Sequence, residues 1–398
     1  MLFKKLFTIF CLFAAGILCG QITNVPDTNF EQSLIDQGID SDGILNGQVF
    51  TADIENLIML DVFGEDIQDF TGIEDFVALE FLDCSRNRFQ GALDLSSNIN
   101  LEVLYASDSE IQAVDISGCP SLVILYINDN ELINLDISNN PLLEEVRLGN
   151  ESEDVFPFNE FVTLDFSANP QLQILDCFAI QTLTNVILDG ATDLRFANFS
   201  ACGLTSIDVS TNLLLEEFIV GYISASFSGT SNNLASIDVT NNPNLTSLYV
   251  ANTDISSLDL RNGANDILIG MGAIQTPNLS CILVDDETAA TNGDAPYGSW
   301  PLDAGTQFSE TECTIGVEDY LLETIEMFPN PVVDILTIQY NEQLVMDTIT
   351  IYDILGKKMF VVRDDFSGAV DMQLLPSGVY FVRMEIGDAV LTKKVLKK

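Results

Sequence analysis

The middle of this chain repeats itself, and that constrains the fold more than any other feature. L-x-x-L-x-L-like segments begin at Leu57, Leu79, Leu101, Leu122, Leu143, Leu172, Leu194, Leu215 and Leu245. Successive starts lie 21 or 22 residues apart, except for two steps of 29 and 30. A unit that short cannot bury an apolar face alone, so neighbouring units must stack. Each period also holds a second apolar pair around an aspartate. These are Leu93-Asp94-Leu95, Val114-Asp115-Ile116, Leu135-Asp136-Ile137, Leu164-Asp165-Phe166, Ile207-Asp208-Val209, Ile237-Asp238-Val239 and Leu258-Asp259-Leu260, with Val186-Ile187-Leu188 as the exception. Two short alternating pieces per period predict a coil with two strand-like edges.

Loop lengths place the irregularities. From the second piece of one coil to the first of the next, the spacing stays at 11 residues. The other half-turn is 10 or 11, except for Val146 to Leu164, which is 18, and Phe218 to Ile237, which is 19. Both insertions therefore leave the same edge, three coils apart, about 14 Å at a strand spacing of ~4.8 Å. They carry Phe156, Pro157, Phe158 and Phe161, then Tyr222, Ile223 and Phe227. Apolar residues there either form a partner patch or fold back on the coils.

Five residues after the inner leucine an Asn or Cys recurs: Asn98, Cys119, Asn140, Asn169, Asn212 and Asn242, and in the other half-turn Asn87, Asn130 and Cys202. An amide at that point satisfies backbone groups that a tight bend leaves unpaired. The segments Leu122-Val123-Ile124-Leu125-Tyr126-Ile127-Asn128-Asp129-Asn130 and Leu79-Glu80-Phe81-Leu82-Asp83-Cys84-Ser85-Arg86-Asn87 resemble the leucine-rich repeat family. Departures are Ala197 in a leucine position, and Glu151 and Ile180 in asparagine positions. The resemblance implies a mainly β leucine-rich-repeat solenoid of short irregular coils over 57–280.

Such a stack needs capped ends. An N-terminal helical cap is expected within 21–56. There Thr28 and Glu31 read as a capping box and Gly38 as the stop, with Phe30, Leu34 and Ile35 on the first coil. At the other end, 281–316 reads as a cap and linker, with Cys281 and Cys313 expected to pair and close the last coil. Residues 1–20 read as a secretion signal. Lys4 and Lys5 precede an apolar run from Leu6 to Leu18 that is too short to span a bilayer. No later segment reads as a membrane span. The cysteines at 84, 119, 177 and 202 read as buried, unreactive thiols.

After Cys313 the period is lost and the charge changes. Residues 317–398 hold 8 basic residues, whereas 21–316 hold 5 against 47 acidic ones. Alternating patterns over 335–340, 347–353, 358–362, 370–374, 379–386 and 389–394, with turn signals between them, predict an antiparallel β-sandwich. Four segments there are Phe328-Pro329-Asn330-Pro331, Ile351-Tyr352-Asp353-Ile354-Leu355-Gly356-Lys357, Leu375-Pro376-Ser377-Gly378-Val379-Tyr380-Phe381 and Lys393-Lys394-Val395-Leu396-Lys397-Lys398. They resemble the C-terminal sorting domain of the type IX secretion system of Bacteroidota. The resemblance implies export to the cell surface and contact with the secretion machinery. It puts the sorting motif on Pro329, Asn330, Pro331, Gly356, Gly378, Lys393, Lys394, Lys397 and Lys398.

Chemistry is narrowed mainly by what is missing. The chain has no histidine, which removes the commonest general base and transition-metal ligand. A formal charge of −45 argues against nucleic acid, which needs a basic face. The stacked aspartates invite a calcium reading, for which Asp115 and Asp136 are the candidates. A Ser or Thr two positions on favours local Asx and Ser/Thr turns instead, and no metal or cofactor is expected. Asp36, Asp40 and Asp42-Gly43 only hint at a calcium loop, because Gly38 stands at its first ligand position. The better surface is the outward column between inner leucines: Asp61, Asp83, Tyr105, Tyr126, Arg147, Asp176, Asn198, Ile219 and Tyr249. Tyr and Arg are enriched where proteins bind. The expected function is non-catalytic binding of a protein or glycan at the cell surface, through Tyr105, Tyr126, Arg147, Tyr249, Phe156, Phe158, Tyr222 and Phe227. The alternative is a surface glycan-active enzyme using paired carboxylates.

Overall fold

The computed structural model describes residues 20–89, 91–150, 158–221, 232–313, 325–339, 348–363, 368–386 and 389–398. The expected signal, apart from Gly20, lies outside them, as do Phe156, Pro157, Tyr222, Ile223 and Phe227. The chain forms two compact units, Met1–Glu310 and Thr311–Lys398.

The first unit is built on ten parallel strands of three residues each. They are Met59–Asp61, Phe81–Asp83, Val103–Tyr105, Ile124–Tyr126, Glu145–Arg147, Ile174–Asp176, Phe196–Asn198, Glu217–Ile219, Ser247–Tyr249 and Gly270–Gly272. They lie side by side in chain order, one coil per step. Only the middle residue of each strand turns inward, because side chains alternate along a strand. Those residues form one buried row from Leu60 through Leu82, Leu104, Leu125, Val146, Leu175, Ala197, Phe218 and Leu248 to Met271. The chain is therefore a solenoid with a continuous interior.

The opposite edge is broken into shorter sheets. Ala92–Asp94 pairs with Ala113–Asp115, and Thr163–Asp165 with Asn185–Ile187. Ser236–Asp238, Ser257–Asp259, Cys281–Leu283 and Gln307–Ser309 form the third. The expected pieces around Leu135 and Ile207 are not strands, although Ile137 and Val209 remain buried.

Buried asparagines tie the coils together. Asn87 donates to Val62 O and Cys84 O, and its Oδ1 accepts from Ile67 N. Asn130 does the same one step along: it donates to Ala106 O and Ile127 O and accepts from Ser109 N and Ile111 N. Glu151, expected to break this row, lies outside the described residues, but the row does not stop there. Asn159 donates to Ile127 O and Leu148 O and accepts from Leu132 N. After the second insertion Asn232 donates to Phe199 O and Val220 O and accepts from Leu204 N. Each insertion thus ends on an asparagine that restores the bonds of a regular coil. Ile180 occupies its slot as a fully buried apolar side chain.

The helix near the start spans Thr28–Asp36, and its cap corrects the sequence reading. Asp27, not Thr28, caps it, with Oδ1 accepting from Asn29 N and Phe30 N. Glu31 does not complete a capping box. Its buried carboxylate accepts instead from the backbone of Asn46, Gly47 and Gln48. Gly38 follows the helix at φ +70°, a conformation that costs glycine least. Phe30 stacks on Phe70 at 4.6 Å and joins Leu34 in the core, whereas Ile35 is half-buried.

Residues 281–313 hold more structure than a cap loop. A helix, Glu287–Asn292, precedes buried Tyr297 and Trp300, and Gln307–Ser309 adds a last parallel strand. Cys281 and Cys313 are both disulfide-bonded, while Cys84, Cys119, Cys177 and Cys202 are free and buried.

The second unit is two antiparallel sheets. One contains Glu326–Phe328, Ile335–Gln339 and Ala369–Asp371; the other contains Lys358–Arg363, Thr348–Asp353, Gly378–Ile386 and Ala389–Lys397. Leu336, Ile338 and Val370 from the first share a core with Ile349, Ile351, Val382, Met384 and Val395 from the second. The expected strand over 370–374 ends early, at Asp371, and Leu374 is exposed. Among the described residues no helix is long and apolar enough to cross a membrane.

Candidate functional site

The outward face of the ten-stranded sheet carries the first and third residue of each strand. Phe81, Tyr105, Tyr126 and Arg147 come from four consecutive strands and touch in sequence. The Phe81 ring meets Tyr105 edge-on at 5.5 Å, and Tyr105 meets Tyr126 at 4.9 Å with planes tilted by 33°. The Arg147 guanidinium lies over the Tyr126 ring, 5.0 Å from its centroid. Glu145 locks this end of the row. Its Oε1 accepts from Tyr126 Oη at 2.6 Å, from Arg147 Nε at 2.9 Å and from the second guanidinium nitrogen at 2.8 Å.

The row continues in polar form. Asp176 Oδ1 accepts from Phe178 N and from Asn198 Nδ2, with the Arg147 charge nearby. Six adjacent strands, Phe81 to Asn198, thus present a connected surface about 24 Å long at the usual strand spacing. Packing shifts its ionisations. Burial, then the hydrogen bond to Glu145, push the Tyr126 hydroxyl up to about 12. Burial raises the Asp176 carboxyl, against the lowering effect of the Phe178 amide and Arg147.

Three of the expected binding residues, Tyr105, Tyr126 and Arg147, are therefore brought together. Tyr249 stands apart, four strands beyond Arg147 and about 19 Å along the sheet. Its ring lies along Gly272, where an added Cβ would sit 3.4 Å from Tyr249 Cδ1. Phe158 is half-buried beside the returning Asn159. Phe156, Tyr222 and Phe227 lie outside the described residues. Phe81 and Glu145 were not legible as site residues, because only the third strand position was read as outward. The strand alternation that exposes that position exposes the first one too.

The aspartate column is satisfied locally. Asp115 Oδ1 accepts from Ser117 N and Oγ at 3.0 and 2.6 Å, and Asp136 Oδ1 from Ser138 N and Oγ at 3.0 and 2.7 Å. The same turn recurs at Asp94, Asp165, Asp208 and Asp238. The serine bonds hold the carboxyls of Asp115, Asp136, Asp165 and Asp208 below their ordinary value. Asp259 bonds Arg261 instead. Among the described residues no three acidic or thiol side chains converge as metal ligands. A groove of about 510 Å³ lies beside Asp27 and Asp69, but both Asp27 oxygens accept backbone N–H groups and Asp69 bonds Thr71.

The solenoid's five arginines are all ion-paired: Arg86 with Asp108, Arg88 with Asp66, Arg147 with Glu145, Arg195 with Glu216 and Arg261 with Asp259. The remaining surface charge is strongly negative.

With this geometry in place, the chain is an exported repeat solenoid carrying a sorting tail. Residues 326–398 match the secretion system C-terminal sorting domain family. That domain directs the chain to the cell surface or out of the cell. No curated protein matches the chain. Among solved structures it is similar to the functional domain of InlJ from Listeria monocytogenes, described as including a cysteine ladder. The two are 20% identical, with a TM-score of 0.47, covering 95% of this chain and 99% of that one. It is also similar to the internalin InlF from Listeria monocytogenes, 16% identical with a TM-score of 0.30, over 74% of this chain and 99% of that one. A third is the plant peptide hormone receptor RGFR1 in complex with RGF2, 16% identical with a TM-score of 0.34, over 58% and 49%.

Proposed function

We propose that this protein is a non-catalytic binding protein at the cell surface, and that the row from Phe81 to Asn198 is its recognition face. The observation that carries the reading is the continuity of that row. Aromatic contact area, a guanidinium and two carboxylates are held on rigid strands across six coils, so little side-chain freedom is lost on binding.

The packing of the rings favours a protein ligand over a glycan. Tyr105 leans on Tyr126, and Arg147 covers Tyr126, so the Tyr126 ring keeps no broad open face. Flat sugar stacking needs an open face. Interfaces with proteins use tyrosine edges, hydroxyls and arginine well. The acidic surface draws basic partners and makes the on-rate fall with salt. The export machinery is the second partner, through the tail. The alternative, a carboxylate-based glycan hydrolase, finds no support in the aspartate column, whose carboxylates are held in local turns.

The test is a protein and glycan array probed with the mature chain, beside a hydrolysis screen. A protein ligand whose affinity falls at least tenfold in Arg147→Ala and in Tyr126→Ala supports the reading. Turnover abolished by changing two specific acids, with binding unmoved by those variants, overturns it.

A further inference from the structure

One buried carboxylate oxygen in the N-terminal cap is left without a partner. Asp40 is 4% exposed. Its Oδ1 accepts from Asp42 N, but its Oδ2 meets no hydrogen-bond donor among the described residues. No other Asp or Glu among them holds a buried oxygen in that condition. A buried carboxylate is costly unless hydrogen bonds or a positive charge meet it. No Lys or Arg occurs between residues 21 and 85. The side-chain charges that act on Asp40 are all negative: Asp42 in the same loop, Glu31 on the helix before it, and Asp53 on the short helix after it, Thr51–Ile54. Burial first, and then this repulsion, raise the Asp40 carboxyl against the lowering effect of the Asp42 amide.

The loop around Asp40 spaces its oxygens as a calcium loop does. The stretch Asp40-Ser41-Asp42-Gly43-Ile44-Leu45-Asn46-Gly47-Gln48-Val49-Phe50-Thr51-Ala52-Asp53 follows the EF-hand pattern with two extra residues, Ile44 and Leu45. Asp40, Asp42 and Asn46 then take the first, third and fifth positions, Gly47 the sixth and Asp53 the twelfth. The sixth position makes a sharp turn, and Gly47 stands at φ +82°. Gly38, the first position suggested by the sequence, is instead the stop of the preceding helix, and Asp36 is exposed and accepts from Gln32 Nε2. The remaining side chains are already linked. Asp42 Oδ2 accepts from Asn46 Nδ2 at 3.2 Å. Asp53 Oδ2 accepts from Ser41 N and Oγ at 3.1 and 2.6 Å, which tethers it beside Asp40 and Asp42. Asp42 and Asn46 are exposed, so an ion and its water can reach the loop.

We infer that this loop is a calcium site, with Asp40 Oδ2 as its buried ligand and Asp42, Asn46 and Asp53 supplying further oxygens. Calcium takes about six to eight oxygens, amide, carbonyl and water oxygens among them, so three carboxylates need not converge before it binds. A half-turn of the Asn46 amide sets its oxygen beside Asp42. Magnesium demands a near-ideal octahedron and gives up water reluctantly, which suits a loop lengthened by two residues less well. The aspartate column offers no comparable ligand, because its carboxylates lie exposed in local turns. A bound ion neutralises Asp40 and ties the loop to the helix that carries Asp53, which steadies the cap at the start of the stack.

The test is a calcium chloride titration of the full chain after dialysis against a chelator, read by thermal melting. Half-saturation is expected at about 0.1–1 mM, the range of extracellular calcium modules. The melting temperature should rise by a few degrees at about 10 mM, because the ion binds only the folded cap. Asp40→Asn is expected to melt higher than the parent chain in chelator and to need at least tenfold more calcium for half its response. Asp42→Asn, an exposed change that the fold tolerates, should need at least threefold more. Asp115→Asn, in the aspartate column, is expected to leave the titration where it was. If Asp40→Asn does not fold, Asp42→Asn combined with Asp53→Asn carries the test. An absent or unsaturable response overturns the inference, as does an unchanged midpoint in the folded cap variants. A shift in Asp115→Asn as large as that in Asp40→Asn overturns it too, by placing the ion on the column. Equal stabilisation by magnesium chloride overturns the choice of calcium.

Discussion

Asp176 holds a charge in a place that disfavours it. Its carboxyl is raised above the ordinary 3.8, chiefly by burial. A carboxylate with a folded pKa above its unfolded one costs stability once both states are ionised, and costs nothing below both values. Asp176→Asn keeps an oxygen for Phe178 N and Asn198 Nδ2 and removes the charge. It is expected to raise the melting temperature at pH 7, with the difference closing near pH 3; thermal melts at the two pH values decide it. Asn159 presents the opposite case. Its side chain satisfies Ile127 O, Leu148 O and Leu132 N, all buried. Asn159→Ala strands two backbone groups, Leu148 O and Leu132 N, while Ile127 O keeps its bond from Asn130, and the change is expected to cost about 2–4 kcal/mol by urea titration. The role of Asn159 was missed because the asparagine was sought five residues after the leucine. Asn130-Glu131-Leu132 and Asn159-Glu160-Phe161 share an Asn-x-apolar pattern, as do Asn87-Arg88-Phe89 and Asn232-Asn233-Leu234. That pattern marks where the chain re-enters the stack, whatever the loop before it. Arg147 and the two tyrosines were legible because a fixed period puts every third strand residue on one face. Glu145 was not, because its role depends on what the adjacent strand presents.

Among the strands, the one that departs most from the repeat is Phe196–Asn198. Ala197 stands where a leucine belongs, between Leu175 on one side and Phe218 on the other, and all three are fully buried. The departure is a paired one: Phe218 is the largest side chain in the inner row and faces the smallest. Volume is conserved across two coils rather than within one, so the coil is regular where the sequence suggested a fault. Adding bulk is then harmful. Ala197→Leu is expected to destabilise by about 1–3 kcal/mol through overpacking. Adding Phe218→Leu should recover most of that loss, because neighbouring core substitutions couple. A double-mutant cycle by denaturant titration reads both. Full additivity of the two single changes would show that the pair does not share its space.

The molecule as a whole has two cores that share no residue, one threaded through the coils and one between the two sheets of the tail. Cooperativity extends as far as a shared core does, so calorimetry of the full chain is expected to resolve two transitions. Acid should move the solenoid transition in two stages. Residues 21–316 hold 47 acidic against 5 basic residues, and their mutual repulsion weakens the compact state. Partial protonation from pH 7 to about 4.5 relieves that repulsion and is expected to raise the melting temperature. Below that the turn aspartates dominate. Asp115, Asp136, Asp165 and Asp208 are held under 3.8 by their serine partners. A depressed folded value gives stability that is present above the unfolded pKa and lost as pH falls through the folded one. The solenoid melting temperature should therefore peak between about pH 4 and 5 and drop steeply by pH 2.5. Replacing Ser117 and Ser138 with Ala removes two of the partners, and should flatten the acid limb without moving the peak. A melting temperature that climbs steadily down to pH 2.5 would mean that repulsion alone sets the solenoid's acid response, and that the repeated Asp–Ser turns contribute nothing to it.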